Sequence, residues 1–149
     1  MRRTPQEVAA DDEALARICH EAHVALRIGL NDSAEDVHFD AMDAERKEMN
    51  VSEIRMWRRG ASSAEVHQAW REWMLARGWR YGIIRSSVSM THPALVDYAD
   101  LPEEGKVKLH QAQAIVFCHI FPEALSRMIR QHSLLAEISQ IADEYDLPG

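Results

Sequence analysis

The feature that most constrains this chain is a change of rhythm. Over most of its length apolar residues recur every three to four positions, the period of an amphipathic helix. "GWRYGIIRSSVSMTHPALVDYADLP", residues 78–102, abandons that period. Trp79 and Tyr81 alternate with Arg80, the β-branched pair Ile83-Ile84 follows, and Gly78, Gly82, Pro93 and Pro102 punctuate the run. Alternation and β-branching favour an extended segment, whereas glycine and proline favour turns, so one short β element is predicted inside a helical chain.

Around that break the helices can be placed. Residues 1–10 read as a loose leader. A first helix is predicted from Asp11 or Asp12, either of which suits a cap, to Asn31-Asp32, with Leu15, Ile18, Ala22, Leu26 and Gly29 on one face. "SAEDVHFDAMDAER" is polar and carries too few aliphatics to count as core. A second helix is predicted from Asp43 to Arg59, with Met49, Ile54 and Trp57 as its apolar stripe and Gly60 as its stop. Ser62 with Glu65 forms a capping-box pattern for a third, whose buried stripe is Val66, Ala69/Trp70 and Trp73/Met74 and whose end is Gly78. "WRYGII" then predicts a strand and "PALVDY" a second short segment, after which Asp100, ahead of Pro102 and Glu103, opens a fourth helix toward His119. A fifth follows, with Leu125, Ile129, His132, Leu135, Ile138, Ala142 and Tyr145 on one face. The expected class is mainly α: a compact domain of about five helices with one short β-hairpin. The expected organisation is a leader at 1–10, the domain at 11–120, and an amphipathic helix at 121–149 packed on the domain or on a partner.

Composition narrows the function. An apolar content of 46% in 149 residues is ample for one core. No apolar run approaches the roughly 20 residues of a membrane span, and the two arginines at the start have no apolar stretch behind them, so neither membrane nor secretion is expected. Cys19 and Cys118 fit a reduced cytoplasm better than a disulfide scaffold. The net charge of −7 argues against a duplex nucleic-acid partner. Within it, residues 46–85 hold nine Lys/Arg against four Asp/Glu. That local excess suits either a small-anion site or solvated helix faces.

The candidate chemistry is that of binding. "CHEAH" falls one residue short of the HExxH zinc motif, its His20 and His23 stand at i, i+3, and no third ligand is signalled, so neither metal nor cofactor is expected. No nucleophile elbow, P-loop or dinucleotide fingerprint is present, and no catalytic residue is assigned. Trp70, Trp79 and Tyr81 offer rings that either fill core or flank a base, where stacking contributes roughly 1–3 kcal/mol. Arg85 offers paired donors for a phosphate, and Tyr98 a hydroxyl. His92, held by Pro93, either meets a ligand or ties down its loop. Lys106 and Lys108 fall in the first turns of the fourth helix, where free N–H groups favour anions. "ICHEAH" and "EVHQAW" also align His20 with His67, Ala22 with Ala69 and His23 with Trp70, although two identities in six do not establish a repeat.

His67 and Trp70, Gly78-Trp79-x-Tyr81-Gly82, and His92-Pro93-x-Leu95-Val96-x-Tyr98-x-x-Leu101-Pro102-Glu103 with Lys106 beyond form a pattern. It resembles the ryanodine receptor repeat, or RyR domain. "ARICHEAHVALRIGLND" resembles the first helix of the stand-alone bacterial and phage members, and the two stretches together cover residues 14–118. The resemblance implies a small helical domain with a short β-hairpin and no known reaction. It also implies a sensor of nucleotide signals, cyclic or ADP-ribose-derived, associated with defence systems. On that basis His20, Trp70, Trp79, Tyr81, Arg85, His92, Tyr98, Lys106 and Lys108 are the expected ligand-binding residues. The chain departs from the family pattern at His23, where Asn is common, at Met90, where Lys is common, and at "KLHQA", residues 108–112, in place of "KDALF". Where those positions touch a ligand in other members, the ligand here differs or is absent. The alternative expectation is a protein-interaction module, with dimerisation through the C-terminal helix.

Overall fold

The computed structural model describes residues 4–31 and 37–120. Two compact units divide the chain, residues 1–116 and 117–149. The described part of the first is mainly helical: α1 (Pro5–Gly29), α2 (Ala44–Arg58), α3 (Ser63–Ala76), the short strands β1 (Arg80–Tyr81) and β2 (Thr91–His92), and α4 (Glu103–Ile120), which runs on into the second unit. The predicted fifth helix, at residues 121–149, lies outside the described residues.

Helix α1 starts earlier than Asp11. Thr4 caps it with a complete capping box, its hydroxyl accepting from the Glu7 N–H while the Glu7 carboxylate accepts from the Thr4 N–H, and Pro5 occupies the first turn. Asp12 is therefore no cap. It is buried, and its carboxylate accepts from Arg58 Nε at 2.5 Å, with Arg55 Nε 3.8 Å away. This pair pins α1 to α2, and loss of Arg58 would leave a buried carboxylate poorly compensated, at a cost of about 3–5 kcal/mol. The face that α1 buries is Leu15, Ala16 and Val24, with Ile18 left 52% exposed. The stripe read from the sequence was centred slightly off that face.

The segment between α1 and α2 corrects a second expectation. Phe39, in a 3-10 turn over Phe39–Ala41, has no exposed surface at all. The Glu21 carboxylate accepts from its N–H at 2.9 Å, and the Arg17 guanidinium lies 4.9 Å from its ring centre. One aromatic in a polar run thus supplies a fully buried member of the core, alongside Ile54, Val66 and Val116. Burying each such side chain contributes roughly 1.5–3 kcal/mol.

Helices α2 and α3 follow their patterns closely. Asp43 caps α2, and Met49, Val51, Ile54 and Trp57 are buried. The Ser62–Glu65 capping box starts α3, and Val66, His67 and Met74 are buried. Gly78, at φ +86°, turns the chain out of α3 in the left-handed region that glycine tolerates.

The β element is present with a different topology. β1 and β2 pair in parallel, Arg80 with Thr91 and Tyr81 with His92, so they are not the two arms of one hairpin. The antiparallel contact is a single bridge between Ser86 and Thr91, whose N–H groups each donate to the other's carbonyl at 3.0 Å. The chain reverses once to reach Ser86 and again to reach Thr91, so β2 lies between β1 and Ser86. Met90, at φ +54°, makes the second reversal. "PALVDY" forms no strand: Leu95 is buried, and Tyr98–Asp100 make a 3-10 turn that leads into α4.

Candidate ligand-binding site

Where α1 to α4 and the connection after α3 meet, they leave a cavity of about 430 Å³. Small-molecule sites span roughly 300–1,000 Å³. Its aromatic walls are Trp57 of α2 and Trp70 of α3, and Leu26, Leu30 and Leu109 add aliphatic surface. Cationic side chains reach it from three directions: Arg27 on α1, Arg85 on the connection and Lys108 on α4. His23, Glu53, His67, His92 and Glu104 complete its titratable lining.

The histidines form a cluster around Trp70. The His67 ring stacks on Trp70 with centroids 5.7 Å apart, and His92 meets it edge-on at 5.1 Å. His67 Nε2–H donates to the Val96 carbonyl at 2.8 Å, because a carbonyl only accepts. His92 is fixed the other way. Its Nδ1 accepts from the Ala94 N–H at 3.0 Å, so a neutral ring carries its proton on Nε2. Burial, reinforced by Lys108, holds all three rings below the ordinary histidine value: His92 at about 4, His23 far lower, and His67 by a shift that its bond to Val96 partly offsets. The three are neutral at pH 7, so the positive charge of the site comes from its Arg and Lys side chains. Lys108 Nζ stands 6.0 Å from the Trp70 ring centre.

Glu53 behaves in the opposite sense. Burial pushes its carboxyl up to about 7 against the pull of Lys108. On α1, the Cys19 thiol is pushed up to about 12 by burial and by the charge of Glu53, which makes it an inert thiol.

Of the residues expected from the sequence, Trp70, Arg85, His92 and Lys108 come together on this cavity. The others lie outside its lining. His20 is tied to the Val37 carbonyl through Nε2 at 2.7 Å. Trp79 is half-buried, and Tyr81, on β1, is 56% exposed. Tyr98 packs against the far side of the cluster, 6.2 Å from His67, with Lys106 Nζ 5.8 Å from its ring centre. Sequence reasoning passed over Trp57, His23, Arg27, Glu53 and His67 as site residues.

One signal would have found two of them. The aligned hexapeptides do the same work on two helices. His20 and His67 each donate Nε2–H to a backbone carbonyl, while the residues three positions on, His23 and Trp70, both line the cavity. The alignment therefore marks corresponding positions, with His23 standing where α3 has its indole.

The model of the RyR domain matches residues 47–121, half of the chain, which takes in α2, α3, both strands and α4. No curated protein matches the chain. The matched span holds Trp57, Trp70, Arg85, His92 and Lys108, leaving α1 to close the cavity from outside it. The chain belongs to the RyR domain family.

Proposed function

We propose that this protein is a non-catalytic receptor for a small nucleotide-derived anion, a cyclic nucleotide or an ADP-ribose-type signal, acting in the cytoplasm. The observation that carries the reading is one cavity that joins two indoles to three cationic side chains. A base stacks on Trp57 or Trp70, and a phosphate takes Arg27, Arg85 or Lys108, with the guanidinium groups offering paired donors. Neutral histidines suit such a site, since His92 Nε2–H donates without adding charge. Capture of the ligand serves either sensing or sequestration, and family association with phage and defence signalling favours those roles.

Isothermal titration against ADP-ribose and cyclic nucleotides tests the reading. The expected result is saturable binding that Trp70→Ala weakens roughly tenfold or more, from the stacking it removes. Lys108→Ala weakens it with a reduced salt dependence. Silence across the panel removes the proposal.

A second reading, a protein-interaction module, draws on Ile83, Ile84 and Val88, which are 86%, 75% and 93% exposed on the connection between the strands. Light scattering of wild type and of Ile83→Ser/Val88→Ser separates the two. A self-associating wild type that becomes monomeric in the variant supports the module.

A further inference from the structure

Glu53, like Glu104, is a polar group of the cavity that stacking and phosphate capture leave without a role. It sits on α2 one turn before Trp57, so the two side chains neighbour each other on the helix surface. Both line the cavity. Among the described residues Glu53 has no hydrogen bond and no ion pair. A planar ring resting on the Trp57 indole would lie about one helical turn from this carboxyl.

The surroundings of Glu53 decide what that carboxyl offers. Cys19 on α1 and Lys108 on α4 interact with it electrostatically, and the other titratable groups of the cavity wall are His23 and Arg27 on α1, His67 on α3, Arg85 and His92 on the connection and Glu104 on α4. Lys108 stabilises the charged form, but burial outweighs it and moves the titration to about 7. The three histidines lie below their ordinary value and Cys19 far above its own. Among these shifted groups, Glu53 is the one whose charge changes near pH 7. An uncharged carboxyl presents an O–H donor beside a C=O acceptor, whereas a carboxylate only accepts.

We infer that Glu53 is the specificity residue of this cavity: it meets the edge of the ligand's base and, as the uncharged acid, selects adenine. The inference rests on the nucleotide reading above. Adenine sets an amino donor beside a ring-nitrogen acceptor, which matches the acid and not the carboxylate, whose oxygens repel the ring nitrogen's lone pair. Guanine sets N1–H beside its 2-amino group, two donors that match the carboxylate. Binding of adenine therefore keeps a proton on Glu53, and binding of guanine releases it.

Titration of cyclic AMP and cyclic GMP into wild type and Glu53→Gln tests this, because each phosphodiester keeps one charge over the range used. If the acid alone takes adenine, affinity scales with the protonated fraction, and wild type loses about thirtyfold for cyclic AMP between about pH 6 and pH 8.5. Cyclic GMP tightens over the same interval. Glu53→Gln, which holds a donor and an acceptor at every pH, binds cyclic AMP equally at both. A flat wild-type profile, or the same slope in wild type and Glu53→Gln, overturns the inference and leaves the nucleotide reading standing. Absence of binding by either nucleotide and by ADP-ribose removes that reading and this inference with it. Should Glu53→Gln fail to fold, the opposed wild-type slopes for the two nucleotides decide alone.

Discussion

At His92 a backbone group chooses the tautomer. Ala94 lies two residues on, and its N–H points at Nδ1, so the imidazole both caps the turn and keeps Nε2–H as its remaining polar group. The sequence offered two roles for a histidine before proline, ligand contact or loop tether, and the ring's two nitrogens allow both. Asparagine forms the same kind of turn through its side-chain oxygen. His92→Ala is therefore expected to lose about 1–2 kcal/mol, from the hydrogen bond and the edge contact with Trp70. His92→Asn recovers most of that in urea denaturation, yet binds ligand as weakly as the alanine variant. Trp70 and His92 were legible because unusual residue types fall in order around them, Arg85 because its guanidinium follows an apolar pair, and Lys108 because it falls in the first turns of a helix. Glu53 was not. In sequence it is one acidic residue on a helix rich in charge, and only the fold, which sets it on one cavity wall with side chains of α1 and α4, turns a solvent-type side chain into a half-buried acid.

At the scale of elements, the capping signal read well for α3 but not for α1, where Asp11 or Asp12 was expected and Thr4 is the cap. The Ser62–Glu65 box starts α3, and the same pattern in Thr4-Pro5-Gln6-Glu7 starts α1, a signal present in the sequence but taken there for a leader. The strand pair was legible in kind and not in topology. Alternation and turn residues mark extended chain, but they carry no record of which strand the partner edge belongs to. What holds the parallel pair close is Gly82. A Cβ there would fall 2.7 Å from Thr91 Cβ, inside any real contact distance. The Thr91 hydroxyl in turn donates to the Ile84 carbonyl at 2.8 Å, so displacing Thr91 breaks the turn as well. Gly82→Ala is expected to cost about 1–3 kcal/mol, as overpacking does elsewhere, read as a lower denaturant midpoint. Gly29→Ala is the contrast: a Cβ meets nothing within 4 Å at that helical position, and stability holds or rises.

For the molecule as a whole, the charge pattern of the sequence was a poor guide to the site. Most of the basic excess in residues 46–85 is spent in pairing: Arg55 and Arg58 with Asp12, Arg71 with Asp97, Arg77 with Glu45. Two of the three cationic side chains on the cavity, Arg27 and Lys108, come from outside that stretch. What the fold concentrates there instead is a set of groups held uncharged, and their titrations pull stability in opposite directions. His23, His67 and His92 have folded values below the ordinary 6.5, so the stability they contribute is present above that pH and is lost as pH falls through the folded values, about 4 for His92. Glu53 is raised from 4.5 to about 7, so its contribution is present below 4.5 and is lost as pH rises through 7. Glu21 and Glu65, held below their usual value by backbone hydrogen bonds, add a further loss only in stronger acid. Thermal unfolding across pH 5 to 9 should show wild type declining on the acid side, with Glu53→Gln equal to it in acid and more stable than it above pH 7. His92→Asn should flatten the acid limb, since one of the rings that must stay neutral is gone. A wild type and a Glu53→Gln protein that melt in parallel at every pH would mean that Glu53 is solvated in solution, and that the four helices do not close on this cavity as the fold requires.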